Sequence, residues 1–426
     1  MKYIPYTYRS FKKSKYYSRL NASERETFDV LAKMFHFKAN NYVLDELISW
    51  EMVDDDPIYK LVFPRREMLH PTDFGILSCF QQSGVPDGAL RPYYDRIKSY
   101  MQPRTLTSEL SFPEIDGTRL PGMYSNFPTM LSLYPALMSK TCHAYCSYCA
   151  RWTLFGDSQS QNSFAYDKPE MPVPWLLEHP EVTDALFTGA DPLILNASLI
   201  RKFIEPLLAV KTLEVIRIST KALGWWPFRF TSDRDADNLL RLFEYVKLRG
   251  KHMTLIAHLT HPRELEHPEV ERAVSRILST GTGIRCQGPL IRGVNDNSED
   301  WYLMWTKQVK MGMTPYYMFV EANHHPTKCF RVPFAESLKI FQVARKRATS
   351  LARTVRGPVF VHDLNRVLIS GTTEVAGEKY FVLKSLQSPR GTESEGDIRL
   401  LPFSETASDF GDLFDFFTFS KEPMVK

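Results

Sequence analysis

Three cysteines carry the first chemical signal in this chain. In Thr141-Cys142-His143-Ala144-Tyr145-Cys146-Ser147-Tyr148-Cys149-Ala150-Arg151 they stand at C-x3-C-x2-C spacing. One loop can therefore present thiolates to three corners of a cubane iron–sulfur cluster and leave the fourth iron open. The remaining cysteines, Cys79, Cys286 and Cys329, are isolated in the sequence, so no neighbouring thiol completes a four-cysteine cage. Two plainer readings use the same residues: a structural zinc site with His143 as fourth ligand, or thiols kept for packing. An open coordination position suits chemistry, whereas a closed site suits scaffolding.

Composition sets the frame that must hold this loop. Of 426 residues, 43% are hydrophobic and 13% aromatic, enough for a large core. A formal net charge of +4 without a polybasic block gives no footprint for nucleic acid. Met1-Lys2-Tyr3-Ile4-Pro5 opens without an apolar run of signal-peptide length, and no stretch reaches the about 20 apolar residues of a membrane span. The expectation is a soluble cytoplasmic protein with no membrane partner. Cysteines clustered at ligand spacing, rather than spread as a disulfide framework, fit a reducing compartment.

Residues 23–52 carry helical apolar spacing (Phe28, Leu31, Met34, Phe35, then Val43, Leu44, Leu47, Ile48) and predict an N-terminal helical cap. Asp54-Asp55-Asp56-Pro57 and Phe63-Pro64-Arg65-Arg66 break that pattern, and loops marked by Pro and Gly are expected up to Tyr124. Beyond Leu131, short apolar runs at 132–139, 184–188, 213–219, 253–260, 284–291 and 315–320 alternate with helical patterns at 197–208, 235–247, 264–277 and 297–311. Strands recurring every about 30 to 40 residues with a helix between them read as βαβ units, hence an α/β fold whose parallel sheet curls into a full or partial barrel. Chemistry in such barrels sits at the C-terminal strand ends, and the cysteine loop follows the first candidate strand. After 363, two short strands at 366–369 and 380–383 flank a Gly-bearing turn. The acidic, aromatic tail at 403–419 is expected to dock onto the barrel or a subunit partner. The chain thus divides into a helical cap and linker (1–125), a barrel (126–363) and a short C-terminal extension (364–426).

Several blocks sharpen this reading. An aromatic residue, Tyr148, precedes the third cysteine. Asp56-Pro57-Ile58-Tyr59-Lys60, Leu120-Pro121-Gly122, Thr188-Gly189-Ala190-Asp191-Pro192-Leu193, Ile216-Arg217-Ile218-Ser219-Thr220-Lys221 and His258-Leu259-Thr260-His261-Pro262 follow in order. Most distinctive is Gln287-Gly288-Pro289-Leu290-Ile291-Arg292-Gly293-Val294-Asn295-Asp296, with Pro315-Tyr316-Tyr317 and Phe330-Arg331-Val332-Pro333 after it. Across residues 55–363 the chain resembles the lysine 2,3-aminomutase family of radical S-adenosylmethionine (SAM) enzymes. The resemblance implies a partial (β/α)6 barrel with Cys142, Cys146 and Cys149 on a [4Fe–4S] cluster. The open iron would chelate SAM, and an electron entering the sulfonium would release a 5′-deoxyadenosyl radical that abstracts substrate hydrogen. It further implies SAM or substrate contacts from Tyr148, Gly189, Ala190, Asp191, Ser219, His258 and Gln287. Arg151 matches the arginine that pairs with a substrate carboxylate, Asp363 a carboxylate that holds a substrate ammonium. An electron donor such as flavodoxin or ferredoxin and a homo-oligomer are expected as partners.

The departures matter as much. Aminomutases of the family hold pyridoxal phosphate as an imine on a lysine that ends a Pro-Gly-Gly-Gly-Gly-Lys loop. Here the corresponding stretch is Leu364-Asn365-Arg366-Val367-Leu368-Ile369-Ser370, with Ser370 in the lysine's place. The family's His-Arg-Tyr-Pro phosphate contact is Ser125-Asn126-Phe127-Pro128, a neutral amide for the arginine. Lys221 remains as a candidate phosphate contact, and Lys379 and Lys384 as lysines that could reach the cavity. The second carboxylate for the substrate ammonium is matched by Ala322, beside Glu321, and Trp225-Trp226 either reshape the cavity or pack in the core. His258 and His261 are placed near the cavity, His324-His325 on a solvated loop. Asn297 stands for one of the family's zinc cysteines, so no zinc is expected. The favoured reading is a radical SAM enzyme acting on a small amino-acid-like substrate without pyridoxal phosphate. The alternatives are a pyridoxal-phosphate-dependent amino acid 2,3-aminomutase and a non-catalytic zinc or iron–sulfur binding protein.

Overall fold

The computed structural model describes residues 1–101, 112–149, 151–152, 165–320, 327–362, 365–388 and 394–414. Helix α1 (Ala22–Leu31) starts in a reciprocal cap: Asn21 Oδ1 accepts from the Glu24 N–H at 2.9 Å, and the Glu24 carboxylate accepts from the Asn21 N–H at 3.0 Å. The helix does not run on to 52 as the apolar spacing predicts. His36 takes a positive φ of 56°, and Lys38–Asn40 pairs as a strand, antiparallel to Pro5–Thr7. Tertiary packing overrides the period here. Phe28, Phe37 and Phe63 each close on Phe11, with ring centroids 4.8, 5.2 and 5.2 Å away, so the apolar positions are buried among several short elements.

The loops expected up to Tyr124 are instead largely helical: α2 (Pro57–Val62), α3 (Pro71–Gln82) and α4 (Asp87–Met101). In α2 and α3 the proline occupies the first turn, where its fixed φ fits and its missing N–H costs nothing. Asp56 and His70 cap these two helices, accepting from Tyr59 N–H at 2.7 Å and Thr72 N–H at 3.3 Å. Asp54-Asp55-Asp56-Pro57, read as a break, is a helix start, whereas Phe63-Pro64-Arg65-Arg66 does end α2.

One sheet of eleven strands organises the rest, and its spatial order is its chain order. β1 (Met123–Phe127) and β2 (Met130–Leu133) are antiparallel. From β2 the strands β3 (Asp184–Phe187), β4 (Val215–Thr220), β5 (His252–His258), β6 (Gly283–Leu290), β7 (Thr314–Val320) and β8 (Arg356–His362) are all parallel. Between them run α5 (Pro172–Glu178), α6 (Ala197–Ile204), α7 (Ala236–Leu248), α8 (Pro268–Ser279), α9 (Ser298–Lys310) and α10 (Phe334–Arg347). Side-chain alternation splits each strand in two. In β4, Ile216 and Ile218 enter the core shared with the helices, while Arg217 and Ser219 stay half-buried on the other face. Cys286 faces that core, its Sγ 3.8 Å from the Met313 sulfur.

The first strand ends at Leu133 rather than 139, because residues 136–139 form a turn with the Ser139 N–H on the Pro135 carbonyl at 3.0 Å. The two short C-terminal strands are longer than expected, β9 (Asn365–Val375) and β10 (Glu378–Gln387), and β11 (Ile398–Pro402) joins them, all antiparallel continuations of the same sheet. Of the aromatic tail, the described part docks: Phe410 and Leu413 are buried, Phe410 lying 5.6 Å from Phe334 and 4.9 Å from Phe360 by ring centroid. No described helix is long and apolar enough to cross a membrane.

Candidate functional site

The C-terminal ends of β2 to β5 gather the residues of the cysteine loop and the turns that follow. The loop leaves β2 and is pinned by backbone on both sides. Tyr145 N–H donates to the Lys38 carbonyl and Ser147 N–H to the Leu61 carbonyl, both at 2.8 Å, and Ser147 Oγ donates to the Lys60 carbonyl at 2.7 Å. The His143 carbonyl accepts from Tyr3 Oη at 2.9 Å and Asn40 Nδ2 at 3.2 Å. After β3 the chain turns sharply through Gly189, whose φ is +122°. A Cβ there would lie 2.5 Å from Ser139 Oγ, so only glycine lets the turn approach the cysteine loop. Asp191 N–H then donates to the Thr141 carbonyl at 3.2 Å, and the Arg151 guanidinium donates to the Gly189 carbonyl.

Asp191 is the electrostatic knot. Its carboxylate accepts from Thr220 Oγ1 at 2.7 Å, Lys221 N–H at 3.0 Å and Leu193 N–H at 3.1 Å, with His143 Nδ1 at 3.4 Å. Burial alone would raise its pKa, but these donors hold it below the usual carboxylate range. Around Tyr148 runs a second buried network. Tyr148 Oη meets Thr260 Oγ1 at 2.9 Å, Lys221 Nζ donates to the same oxygen at 3.1 Å, and Lys221 pairs with Glu264 at 2.6 Å. Glu264 is buried and accepts from the N–H groups of Thr260 and His261 at 2.5 and 2.9 Å.

The Cys142 and Cys146 thiols of the loop are desolvated. Desolvation pushes the Cys146 thiol up to about 12, offset in part by the Lys221 ammonium. It pushes Cys142 well up too, with Asp191, Cys149 and Cys146 adding to the rise. Such thiols ionise when a metal takes the place of the proton. Among the described residues no group of three His, Cys, Asp or Glu side chains is arranged to hold a metal ion. A cubane takes each thiolate on a different iron. His143, the proposed fourth zinc ligand, is engaged with Asp191. Several buried polar atoms around the loop lack a hydrogen bond, among them Ser139 Oγ, Trp152 Nε1, Trp225 Nε1 and, at the end of β5, His258 Nε2; burial, with Lys221 and Arg151 nearby, drives the His258 pKa down to about 3. A neutral imidazole beside Tyr148, 6.2 Å between ring centroids, is ready to donate or accept.

No family model matches the chain; its likeness to individual proteins is extensive. It is 28% identical over 361 residues, 84% of each chain, to an Aquifex aeolicus (strain VF5) protein named provisionally as an L-lysine 2,3-aminomutase. To the L-lysine 2,3-aminomutase of Clostridium subterminale it is 26% identical over 306 residues, 68% of each chain. To that of Fusobacterium nucleatum subsp. nucleatum it is 25% identical over 250 residues, 59% of this chain and 54% of the relative. The chain is an enzyme and a divergent relative of the lysine 2,3-aminomutases. The non-catalytic reading falls with that kinship.

Within this aminomutase relative, the residues expected to contact ligand divide. Cys142, Cys146, Cys149, Tyr148, Arg151, Gly189, Asp191 and His258 are drawn together by the contacts above. Ala190 lies in the same turn, and Ser219 and Gln287 are half-buried on β4 and β6, the latter paired in register with His258. Asp363 lies outside the described residues, as do Glu321, Ala322, His324 and His325. His261 is engaged as a cap, accepting from Arg263 N–H at 3.2 Å with Asp300 at 3.6 Å. Trp225 and Trp226 are core residues, each 1% exposed. Sequence reasoning overlooked Glu264 and Asn40. Glu264 had a legible signal, the His261-Pro262-Arg263-Glu264 capping box. Asn40 had none, since it bridges the His143 and Trp225 carbonyls, distant in the chain.

Proposed function

We propose that this protein is a radical SAM enzyme that draws hydrogen from a small, carboxylate-bearing, amino-acid-like substrate and does so without pyridoxal phosphate. The observation that carries the reading is the cysteine loop held against the Gly189 turn through Thr141, Asp191 and Arg151 at the C-terminal strand ends. In this reading β2 to β7 form a partial (β/α)6 barrel, residues 1–125 cap it and 364–426 extend it. Cys142, Cys146 and Cys149 hold a [4Fe–4S] cluster which, with SAM on its open iron, supplies a 5′-deoxyadenosyl radical. The chain's own part is to orient and to exclude water. The turn at Gly189 and Ala190 offers backbone to SAM, and His258 Nε2, Ser219 and Gln287 offer polar contacts from three neighbouring strands. The Asp191 carboxylate is consumed in holding the turns together. Arg151 uses one N–H on Gly189 and keeps the rest of its fork for a substrate carboxylate. Asp363 is proposed to receive a substrate ammonium.

The reading without pyridoxal phosphate is supported by the residues that replace the family's phosphate and imine contacts in the sequence. Asn126 carries no charge where the family has an arginine, and Lys221 is tied to Glu264; Ser370, matched to the lysine by counting along the sequence, lies instead beside Arg356 at the start of β8, away from the cysteine loop, and carries no argument about the cradle. The relatives' names favour a 2,3-aminomutase, and the other reading is that activity with pyridoxal phosphate on a relocated lysine. Cytoplasmic location, a flavodoxin- or ferredoxin-like donor and a homo-oligomer complete the proposal. Two anaerobic measurements test it. Reduced, reconstituted protein should form 5′-deoxyadenosine from SAM, and no product with an intact cluster would sink the radical SAM reading. After incubation with pyridoxal phosphate and borohydride, intact mass should show no specific adduct; a stoichiometric adduct on one lysine would restore the aminomutase.

A further inference from the structure

A second site lies at the opposite edge of the sheet. Between the end of α10 and the start of β8 is a cleft of about 520 Å³ lined by Arg345, Lys346, Arg353 and Arg356 over an apolar floor that includes Leu338 and Phe341. Arg356 begins β8, at the N-terminal edge of the parallel strands, whereas the cysteine loop leaves the C-terminal end of β2. The cleft is therefore separate from the candidate active site.

Its electrostatics are unusual for this chain. Most arginines with partners here meet a carboxylate, including the adjacent Arg347, which pairs with Glu299. None of the four cleft cations has a carboxylate partner among the described residues. Their contacts are neutral and partial. Arg345 Nε donates to the Arg353 carbonyl at 3.1 Å, and Arg356 Nη1 to Tyr317 Oη at 3.1 Å. Arg353 donates to the Ala348 and Lys346 carbonyls at 2.9 and 2.8 Å, which also neutralises the partial negative charge at the α10 C-terminus. Each guanidinium has five N–H groups, so most of their donors remain for a ligand. Four positive charges gathered in one concavity repel one another and focus a field that draws anions. One carboxylate would leave most of that charge uncompensated, whereas a phosphate group carries more charge and matches the guanidinium fork. The volume lies within the about 300–1,000 Å³ of small-molecule sites.

We propose that this cleft binds a phosphate-bearing small molecule, its phosphate on Arg345, Arg353 and Arg356 and any organic part on the Leu338 and Phe341 floor. Isothermal titration of the full chain with inorganic phosphate, pyrophosphate and adenosine monophosphate tests it. Expected is saturable one-site binding, weakened at least tenfold in Arg345→Gln, an exposed position whose loss leaves the melting temperature unchanged, and again in Arg356→Gln. Tighter binding of the monophosphate than of inorganic phosphate would assign an organic phosphate; equal affinity would assign free phosphate. No saturable binding of any probe, or binding that Arg345→Gln leaves at parental strength, overturns the proposal, the latter placing the anion elsewhere.

Discussion

At the scale of single residues, the site turns on two requirements of very different kinds. Gly189 is needed for its shape. At φ +122° any side chain is strained, by about 1–3 kcal/mol, and its Cβ would meet Ser139 as well. Gly189→Ala is expected to lower stability in urea by about 2 kcal/mol or more, and adding Ser139→Gly should restore only the part due to the clash. An unchanged midpoint for the single variant would mean the turn tolerates a side chain. Cys146 is needed for its chemistry. Cys146→Ala should reduce bound iron after reconstitution and cut 5′-deoxyadenosine formation by more than a hundredfold, while His143→Ala should retain iron because its ring faces Asp191. Iron lost equally in both variants would return His143 to the ligand set.

The elements that frame the site are held by junctions, and Asp56 is one that can be tested. It caps α2 through Tyr59, accepts from Ser49 N–H at 2.9 Å and pairs with Arg263 at 2.5 Å. Its side chain has no exposed surface, and the pair ties the N-terminal helices to the turn that carries Glu264. Removing a cap costs about 1 kcal/mol, and breaking a buried pair from one side costs about 3–5 kcal/mol. Arg263 is 28% exposed and can reach water, so Asp56→Ala should cost about 3 kcal/mol in chemical denaturation, and a loss below about 1 kcal/mol would reduce the junction to its cap. The sequence showed Asp56-Pro57 as a break. The same chemistry, a carboxylate before a proline, serves a loop or a helix start, and only the apolar face of Ile58, Leu61 and Val62, all buried, decides between them.

For the whole molecule, legibility followed the range of the contacts. Strands β3 to β7 and the helices between them could be read because each signal is complete within a short window: alternation in β4, with Ile216 and Ile218 in and Arg217 and Ser219 out, and a continuously buried run from Met253 to Ala257 in β5. The N-terminal third resisted because its core forms between distant residues such as Phe11 and Phe63, and Asn40 bridges two carbonyls far apart in the chain. Burial of that kind also leaves a global signature. The His261 and His258 rings are held neutral, each driven down to about 3 chiefly by desolvation, and His36 is lowered to about 4. In the unfolded chain these imidazoles titrate near 6.5, so below that pH the unfolded state binds protons the folded state refuses, and stability falls as pH drops. Each such histidine is worth about 1.4 kcal/mol per pH unit below 6.5. The loss should therefore begin well above the carboxylate range and reach about 2–3 kcal/mol for His258 and His261 together at pH 5.5. Urea midpoints at pH 7.5 and 5.5 measure it. His261→Gln should flatten the slope in proportion to its share, and equal midpoints at the two pH values would show that these imidazoles accept protons in the folded chain.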